Sequence, residues 1–138
     1  MDDPYVANIV KKYEHWTVYL HQDQGYLGRC VIDCNRADAR EFLDATPEEH
    51  TELFAIIKDL QEAIRTSFGA SWFNYAFLGN VDRHLHCHLI PRYDHRVTFA
   101  DTTFTDLNFN ANPYKTGTTK FASPEVHEAI RAELAKVL

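Results

Sequence analysis

Histidine occupies three alternate positions, His84, His86 and His88, within one short apolar segment of this chain. Side chains on a β-strand alternate between its two faces, so the pattern predicts a strand with three imidazoles on one face and the intervening apolar residues on the other. The chain is therefore constrained to a fold in which one sheet has a packed face and a face that is open to chemistry.

The spacing of the row limits what the histidines can bind. Same-face neighbours on a strand are about 6.5 Å apart, which separates His84 from His88 by about 13 Å. Metal–nitrogen bonds are about 2.0 Å long, so adjacent histidines can share an ion but all three are poorly placed to do so. An extended anion such as a polyphosphate fits the row better. Neutral imidazole is a nucleophile near pH 7, which makes His86, in the middle, the candidate for attack at phosphorus.

Length and charge restrict the class of protein. A chain of 138 residues with 45% hydrophobic content can form one compact domain, which we expect to span residues 1–138. The net charge of −6 argues against a nucleic-acid-binding protein, which needs a basic surface. No apolar run reaches the roughly 20 residues that span a bilayer, and the acidic start differs from a signal peptide. We therefore expect a cytoplasmic protein without a membrane partner.

The three cysteines, Cys30, Cys34 and Cys87, are odd in number, and two fall in predicted strands. This usage favours reduced, buried thiols over a disulfide framework. Cys30 and Cys34 are not joined by a second paired motif that would complete a four-ligand zinc site.

Capping residues make one helix especially clear. Thr46 suits the N-cap, Pro47 the first helical position and Glu49 the capping box, and Gly69 follows a periodic apolar stripe. The segments predicted to be regular are a helix at 47–68, a short helix near 36–42, a closing helix from Pro124, and strands at 16–21, 29–33, 72–78 and 84–93. Strands paired in order beneath the long helix give an α+β domain. Residues 94–122 have no sustained period, and a loop of this length is usually functional or packed on a partner.

The pattern His-x-His-x-His followed by two apolar residues resembles the signature of the histidine-triad (HIT) superfamily of nucleotide hydrolases and transferases. The likeness extends over most of residues 16–93. Gly79-Asn80 stands where the family usually has Gly-Gln, residues 26–32 resemble its turn and second strand, and residues 91–93 resemble the diadenosine polyphosphate hydrolase branch. The resemblance implies a HIT-like fold, a mainly antiparallel sheet with a long helix packed on one face and a C-terminal helix.

The resemblance also implies roles for individual residues. His86 would form a nucleotidyl-histidine intermediate, while His84 and His88 flank it and stabilise charge. The expected substrate-binding residues are Asn74, Gly79, Asn80, Arg92 and His21. No protein-bound metal and no cofactor would be required, although a divalent cation such as Mg can accompany the nucleotide. A homodimer is expected from the resemblance together with the wide apolar stripe of the long helix.

Two departures from the family pattern affect the expected substrate. Val81 replaces a hydroxyl residue that usually contacts the attacked phosphate, and residues 33–36 replace a segment that usually contains a histidine. The favoured substrate is a dinucleoside polyphosphate, cleaved at a phosphoanhydride. Two alternatives stay open, a nucleotide-binding module without turnover and a metal-binding protein that uses His84 and His86.

Overall fold

The computed structural model describes residues 3–138, except for the side chain of Thr116. Five strands form one sheet in the order β1-β2-β3-β5-β4, and every neighbouring pair is antiparallel. The strands are β1 (Ile9–Lys12), β2 (Trp16–Leu20), β3 (Cys30–Cys34), β4 (Trp72–Ala76) and β5 (His86–Arg92). Helices α1 (Pro47–Phe68) and α3 (Pro124–Val137) complete the main body. The predicted α+β class with a mainly antiparallel sheet is confirmed.

The strand order differs from the predicted one, in which the strands pair in sequence. The histidine strand β5 lies in the interior of the sheet, where Asp33 of β3 is opposite His86 and Ala76 of β4 is opposite His88. Burial explains this position, because Cys87 and Leu89 on its apolar side are both 0% exposed. The edge strand β1 was not predicted, since Ile9–Lys12 contains only two apolar residues and no alternation.

The long helix begins and ends where its capping residues predict. The Thr46 hydroxyl accepts from the Glu49 amide at 3.1 Å, and the Glu49 carboxylate accepts from the Thr46 amide at 2.8 Å. Gly69 ends the helix at φ 77°, a left-handed conformation that favours glycine. The Glu49 carboxylate also accepts from Arg36 at 3.0 Å, which fixes the start of α1 to the chain that leaves β3.

The two faces of the sheet have different surroundings. Apolar residues from β2, β3 and β5 join α1 and α3 in one core, which includes Trp16, Val18, Leu20, Ile32, Cys87, Ile56, Leu60, Ile64, Ile130 and Leu134. The opposite face carries the histidines and is covered only in part. All three cysteines are free and buried. Within residues 3–138, no helix is both long and apolar enough to cross a membrane.

One prediction about the connecting segments was wrong, and a segment that the sequence left open contains short elements. Residues 36–42 form no α-helix, and a 3₁₀ turn at Phe42–Asp44 replaces it, held by the Asp44 carboxylate on the amides of Arg40 and Glu41. Residues 94–122 contain a β6–β7 hairpin (Val97–Phe99 and Thr102–Phe104) and the short helix α2 (Pro113–Thr116). Each of these elements is too short to produce the periodicity on which the sequence analysis depended.

The segment after the hairpin is tied to the turn between β2 and β3. The Gln24 amide donates to the Lys120 carbonyl at 2.8 Å, and the Thr118 amide donates to the Tyr26 hydroxyl at 3.0 Å. A Cβ at Gly25 would lie 1.9 Å from the Thr118 carbonyl oxygen, so only glycine permits this approach. The turn and this segment therefore bring further side chains to the histidine face.

Candidate active site

The three histidines lie side by side on the less covered face of the sheet. His86 and His88 belong to β5, and His84 lies just before the strand begins. The rings of His86 and His88 are 5.1 Å apart and meet edge to face. All three residues are partly exposed, so a solute can reach the row.

Backbone carbonyls determine which ring nitrogen of His84 and of His86 carries a proton. His86 Nδ1 lies 2.6 Å from the His84 carbonyl oxygen, and His84 Nε2 lies 2.6 Å from the Cys34 carbonyl oxygen. A carbonyl can only accept, so each of these ring nitrogens carries the donated proton. In the neutral imidazole this leaves the lone pair of His86 on Nε2, which is the tautomer that a nucleophilic imidazole requires.

His88 belongs to a cluster with His21, Arg29 and Tyr114. The His21 and His88 rings are 5.9 Å apart, and the Arg29 guanidinium lies over the Tyr114 ring at 5.8 Å. Burial and the positive charge of Arg29 lower the pKa of both histidines to about 4. His21 and His88 are therefore neutral near pH 7. Arg29 Nε and His88 Nδ1 are buried and have no hydrogen-bond partner within the described residues.

Asp33 is a site residue to which the sequence analysis assigned no role. It lies opposite His86 in the ladder, and its Oδ1 is 3.7 Å from His84 Nε2. Burial raises the pKa of this carboxyl, while the nearby His84 and His86 lower it. An acidic residue inside the apolar strand 30–34 was the available indication of this role.

Two cavities adjoin the row, and His86 is the one residue that lines both of them. The first, here called the strand cavity, has a volume of about 420 Å³. It is lined mainly by hydrogen-bonding side chains, namely Asp3, Tyr5, Asn8, Tyr19, His21, Asp33, Asp82, His86 and His88. His21 therefore lies beside the triad, as expected from the sequence.

The second, here called the loop cavity, has a volume of about 770 Å³. Its walls are the 3₁₀ turn and the loop that follows β4, and they include Arg40, Glu41, Phe42, Leu43, Asp44, Phe77, Leu78, Gly79, Asn80, Arg83, His84 and His86. Gly79 has a φ of 69°, which turns the chain sharply after Leu78. The two expected substrate-binding residues Gly79 and Asn80 thus lie beside His84 and His86.

Arg92 and Asn74 lie on the same face, further along the sheet, and they bind each other. The Arg92 side chain is 2% exposed, and its guanidinium donates to the Asp106 carboxylate, to Asn74 Oδ1 and to the carbonyls of Asn108 and Ala111. These bonds occupy all five of its N–H groups. The expectation that Arg92 binds substrate is therefore at odds with the structure, in which this residue holds the segment that follows β7.

The structure does not gather the triad into a metal site. Among the described residues, the one group of three possible metal ligands is Glu14, His15 and Glu52. The triad nitrogens His84 Nε2 and His86 Nδ1 are already used on carbonyl oxygens.

A comparison with curated proteins identifies a relative of known activity. The chain is 33% identical over 107 residues to the asymmetrical bis(5′-nucleosyl)-tetraphosphatase of Schizosaccharomyces pombe. The match covers 71% of this chain and 58% of that protein.

Solved structures share the fold over nearly the whole chain. A histidine triad protein from Sinorhizobium meliloti 1021 aligns with a TM-score of 0.79 and 21% identity, covering 100% of this chain and 96% of that one. A histidine triad protein from Marinobacter aquaeolei VT8 aligns with a TM-score of 0.76 and 20% identity, covering 97% and 91%.

The family model described as HIT domain matches residues 6–95, a span that contains β1 to β5, helix α1 and the complete histidine row. Both the sequence motif and the fold around it are thus those of one family. The chain belongs to the HIT domain family.

Proposed function

We propose that this protein is a nucleotide hydrolase that cleaves a phosphoanhydride of a dinucleoside polyphosphate through a covalent nucleotidyl-histidine on His86. The observation that carries the proposal is the hydrogen bond between His86 Nδ1 and the His84 carbonyl, which places the lone pair of the neutral ring on Nε2. The activity of the fission yeast relative and the two cavities beside His86 support a nucleotide substrate.

The reaction has two displacement steps. In the first, His86 Nε2 forms a bond to phosphorus, and the bond from phosphorus to the bridging oxygen breaks, so the leaving nucleotide takes the electron pair. In the second, a water oxygen bonds to phosphorus and releases a proton to the solvent, the P–N bond breaks, and the electron pair returns to Nε2. The ring proton of neutral His88 stabilises charge on the phosphoryl oxygens, while His84, whose Nε2 proton is donated to the Cys34 carbonyl, flanks the nucleophile. A divalent cation such as Mg accompanies the polyphosphate, but neither displacement step requires it.

The test combines three measurements on the purified protein with a dinucleoside tetraphosphate. We expect rapid quenching to trap nucleotide on His86, a chiral-phosphorus substrate to give net retention, and His86→Ala to lose nearly all turnover while it stays folded. Inversion at phosphorus would contradict the covalent step. Equal nucleotide binding by wild type and His86→Ala, with no nucleotide consumed by either, would instead indicate a binding module.

The functional unit that we propose is a homodimer in the cytoplasm. The edge strand β4 exposes Trp72 (63%) and Tyr75 (42%), and α1 exposes Phe54 (75%). The Tyr75 hydroxyl contacts Gln61 of α1, so the edge strand and this helix lie side by side, and each exposes apolar side chains that a second copy could cover. The buried free thiols suit a reducing compartment. A concentration-independent mass of one chain in light scattering would contradict the dimer.

A further inference from the structure

The loop cavity has a chemistry that the covalent step does not use. Phe42, Phe77 and Leu78 line it and are 46%, 38% and 51% exposed. The Phe42 and Phe77 rings pack against each other at 4.7 Å, and each keeps part of its surface in solvent. Exposed aromatic groups gathered in one concave site are unusual on a small protein and mark a place where a ligand binds.

The charges around the loop cavity suit an anion that also carries an aromatic group. Arg40 and Arg83 are exposed cations on its wall. Of the two acids there, Asp44 already accepts the amides of Arg40 and Glu41, while the Glu41 side chain is exposed to solvent. A nucleotide combines phosphates, which pair with arginine, and a base, which stacks on aromatic rings.

The strand cavity is lined by acidic and hydrogen-bonding side chains, whereas the loop cavity carries arginines and aromatic rings. Three carboxylates, those of Asp3, Asp33 and Asp82, line it together with tyrosine, asparagine and histidine side chains. Such a lining accepts hydroxyl and amino groups but disfavours a chain of phosphates by charge repulsion. It therefore suits one nucleoside of the substrate and does not suit the polyphosphate that leaves.

The two cavities lie on different sides of His86. They meet at His86 alone, and volumes of about 420 and 770 Å³ are each in the range of ligand pockets. In an in-line displacement the leaving group departs on the side opposite the nucleophile, so the two ends of the substrate extend away from His86 in different directions.

We propose that the loop cavity is the binding site for the leaving nucleotide, with the base stacked on Phe42 and Phe77 and the phosphates paired with Arg40 and Arg83. This inference rests on the proposed function and adds to it the site that holds the second nucleotide of the substrate. The enzyme prefers substrates with a nucleoside at both ends of the phosphate chain, because such substrates fill both cavities.

The test compares two substrates that differ only in the second nucleoside, diadenosine tetraphosphate and adenosine 5′-tetraphosphate. Loss of a stacked base typically changes affinity by tenfold or more. We expect Phe42→Leu and Phe77→Leu each to lower kcat/KM for the dinucleotide by about tenfold and to leave the mononucleotide nearly unchanged. Arg40→Met and Arg83→Met should lower kcat/KM for both substrates. Phe121→Leu is the matched control, since Phe121 is 71% exposed and lies outside both cavities, and it should change neither rate.

The outcomes separate this inference from the proposed function. If the wild-type protein consumes neither substrate, the proposed function fails. If it consumes both and the phenylalanine variants lower the two rates equally or not at all, the loop cavity is not the leaving-nucleotide site. If those variants change the mass in solution while the ratio of the two rates stays constant, a second copy of the chain covers these rings and the inference is overturned.

Discussion

At the scale of single residues, backbone carbonyls rather than acids control the histidine row. His84 and His86 each give one ring proton to a main-chain oxygen, so their tautomers are set by strand geometry. His88 differs, because burial and the Arg29 charge determine its state. One row of identical side chains thus contains two rings oriented by backbone carbonyls and one ring kept neutral by its surroundings, without any change of residue type.

The influence of Arg29 on His88 can be measured directly. We expect Arg29→Met to raise the pKa of His88 from about 4, because a neighbouring positive charge is removed, although burial will keep the pKa below its ordinary value. An NMR titration of the His88 ring measures this change. Arg96→Met is the matched control, since Arg96 is an exposed arginine beyond β5. An unchanged or lowered His88 pKa in Arg29→Met would contradict the assigned cause.

Cys87 tests the facing of the histidine strand. The thiol is 0% exposed on the core side, and burial raises its pKa to about 12, so it is an inert packing group. We expect Cys87→Ala to lower the free energy of unfolding by about 1 kcal/mol and to leave turnover near normal. Urea denaturation and an activity assay measure the two effects. A large loss of turnover in the folded variant would indicate that the thiol lies on the histidine face of the strand and not on the core face.

At the scale of elements, the segment that follows β7 is held over the sheet by one buried ion pair. The side chains of Arg92 and Asp106 are 2% and 0% exposed, and the Asp106 carboxylate also accepts the Tyr93 amide. The preceding β6–β7 hairpin is fixed separately, since Phe99 packs edge to face on Phe68 of α1 at 5.0 Å. The ion pair thus fixes the segment that follows β7, and through this segment it positions Tyr114 against His88.

Removing the charge of Asp106 should release this segment. We expect Asp106→Asn to lower the free energy of unfolding by about 3–5 kcal/mol, because Arg92 would be left buried without a counter-charge. The double variant Arg92→Met/Asp106→Leu should regain most of the loss. Urea denaturation measures stability, and limited proteolysis within residues 105–122 reports on the segment. Asp101→Asn is the control, since this exposed acid sits in a turn at φ 57°, which asparagine tolerates. Equal stability of Asp106→Asn and wild type would show that the ion pair is not what holds the segment.

At the scale of the whole molecule, local patterns and long-range contacts contribute differently. The capping box of Thr46 and Glu49 and the alternation of the histidine strand are local, and both were predicted from the sequence. The insertion of β5 between β3 and β4 and the bond between Arg92 and Asp106 join distant parts of the chain. Neither the strand order nor this ion pair can be predicted from the spacing of residues along the chain. The partners of Arg92 lie in the segment after β7, which has no periodic pattern, and this explains why the sequence analysis did not foresee them.

The same division applies to the site. The histidine row, His21 and the Gly79-Asn80 turn follow from a motif, and the structure places them together. Asp33 and Arg29 reach the row only because β3 pairs with β5, and the walls of the loop cavity come from two connections that carry no periodic pattern. Their contribution depends on sheet order, which local sequence does not encode.

The buried imidazoles also give the whole fold a dependence on pH. His21 and His88 have pKa values lowered to about 4, whereas an unfolded histidine has an ordinary value of 6.5. Between these values the unfolded chain binds protons that the folded chain does not, so stability falls as pH falls from about 7 toward 4. We expect a loss of roughly 1 kcal/mol per histidine between pH 7.5 and 5, below the full linkage value because both rings are partly exposed.

Urea denaturation at pH 7.5 and at pH 5 measures this loss. Glu49, whose pKa is lowered to about 2 mainly by Arg36, loses its contribution only below about pH 4.5 and does not interfere in this window. The variants His21→Asn and His88→Asn remove one proton-binding group each from the unfolded chain, so each should show a shallower fall in the denaturation midpoint than wild type. Asp33, whose pKa is raised by burial, changes stability in the opposite direction as pH falls, so the comparison with the two variants is the decisive one. If both variants lost as much stability as the wild-type protein between pH 7.5 and 5, neither imidazole would be held neutral by the fold, and the neutral state of His88 at the site would be contradicted with it.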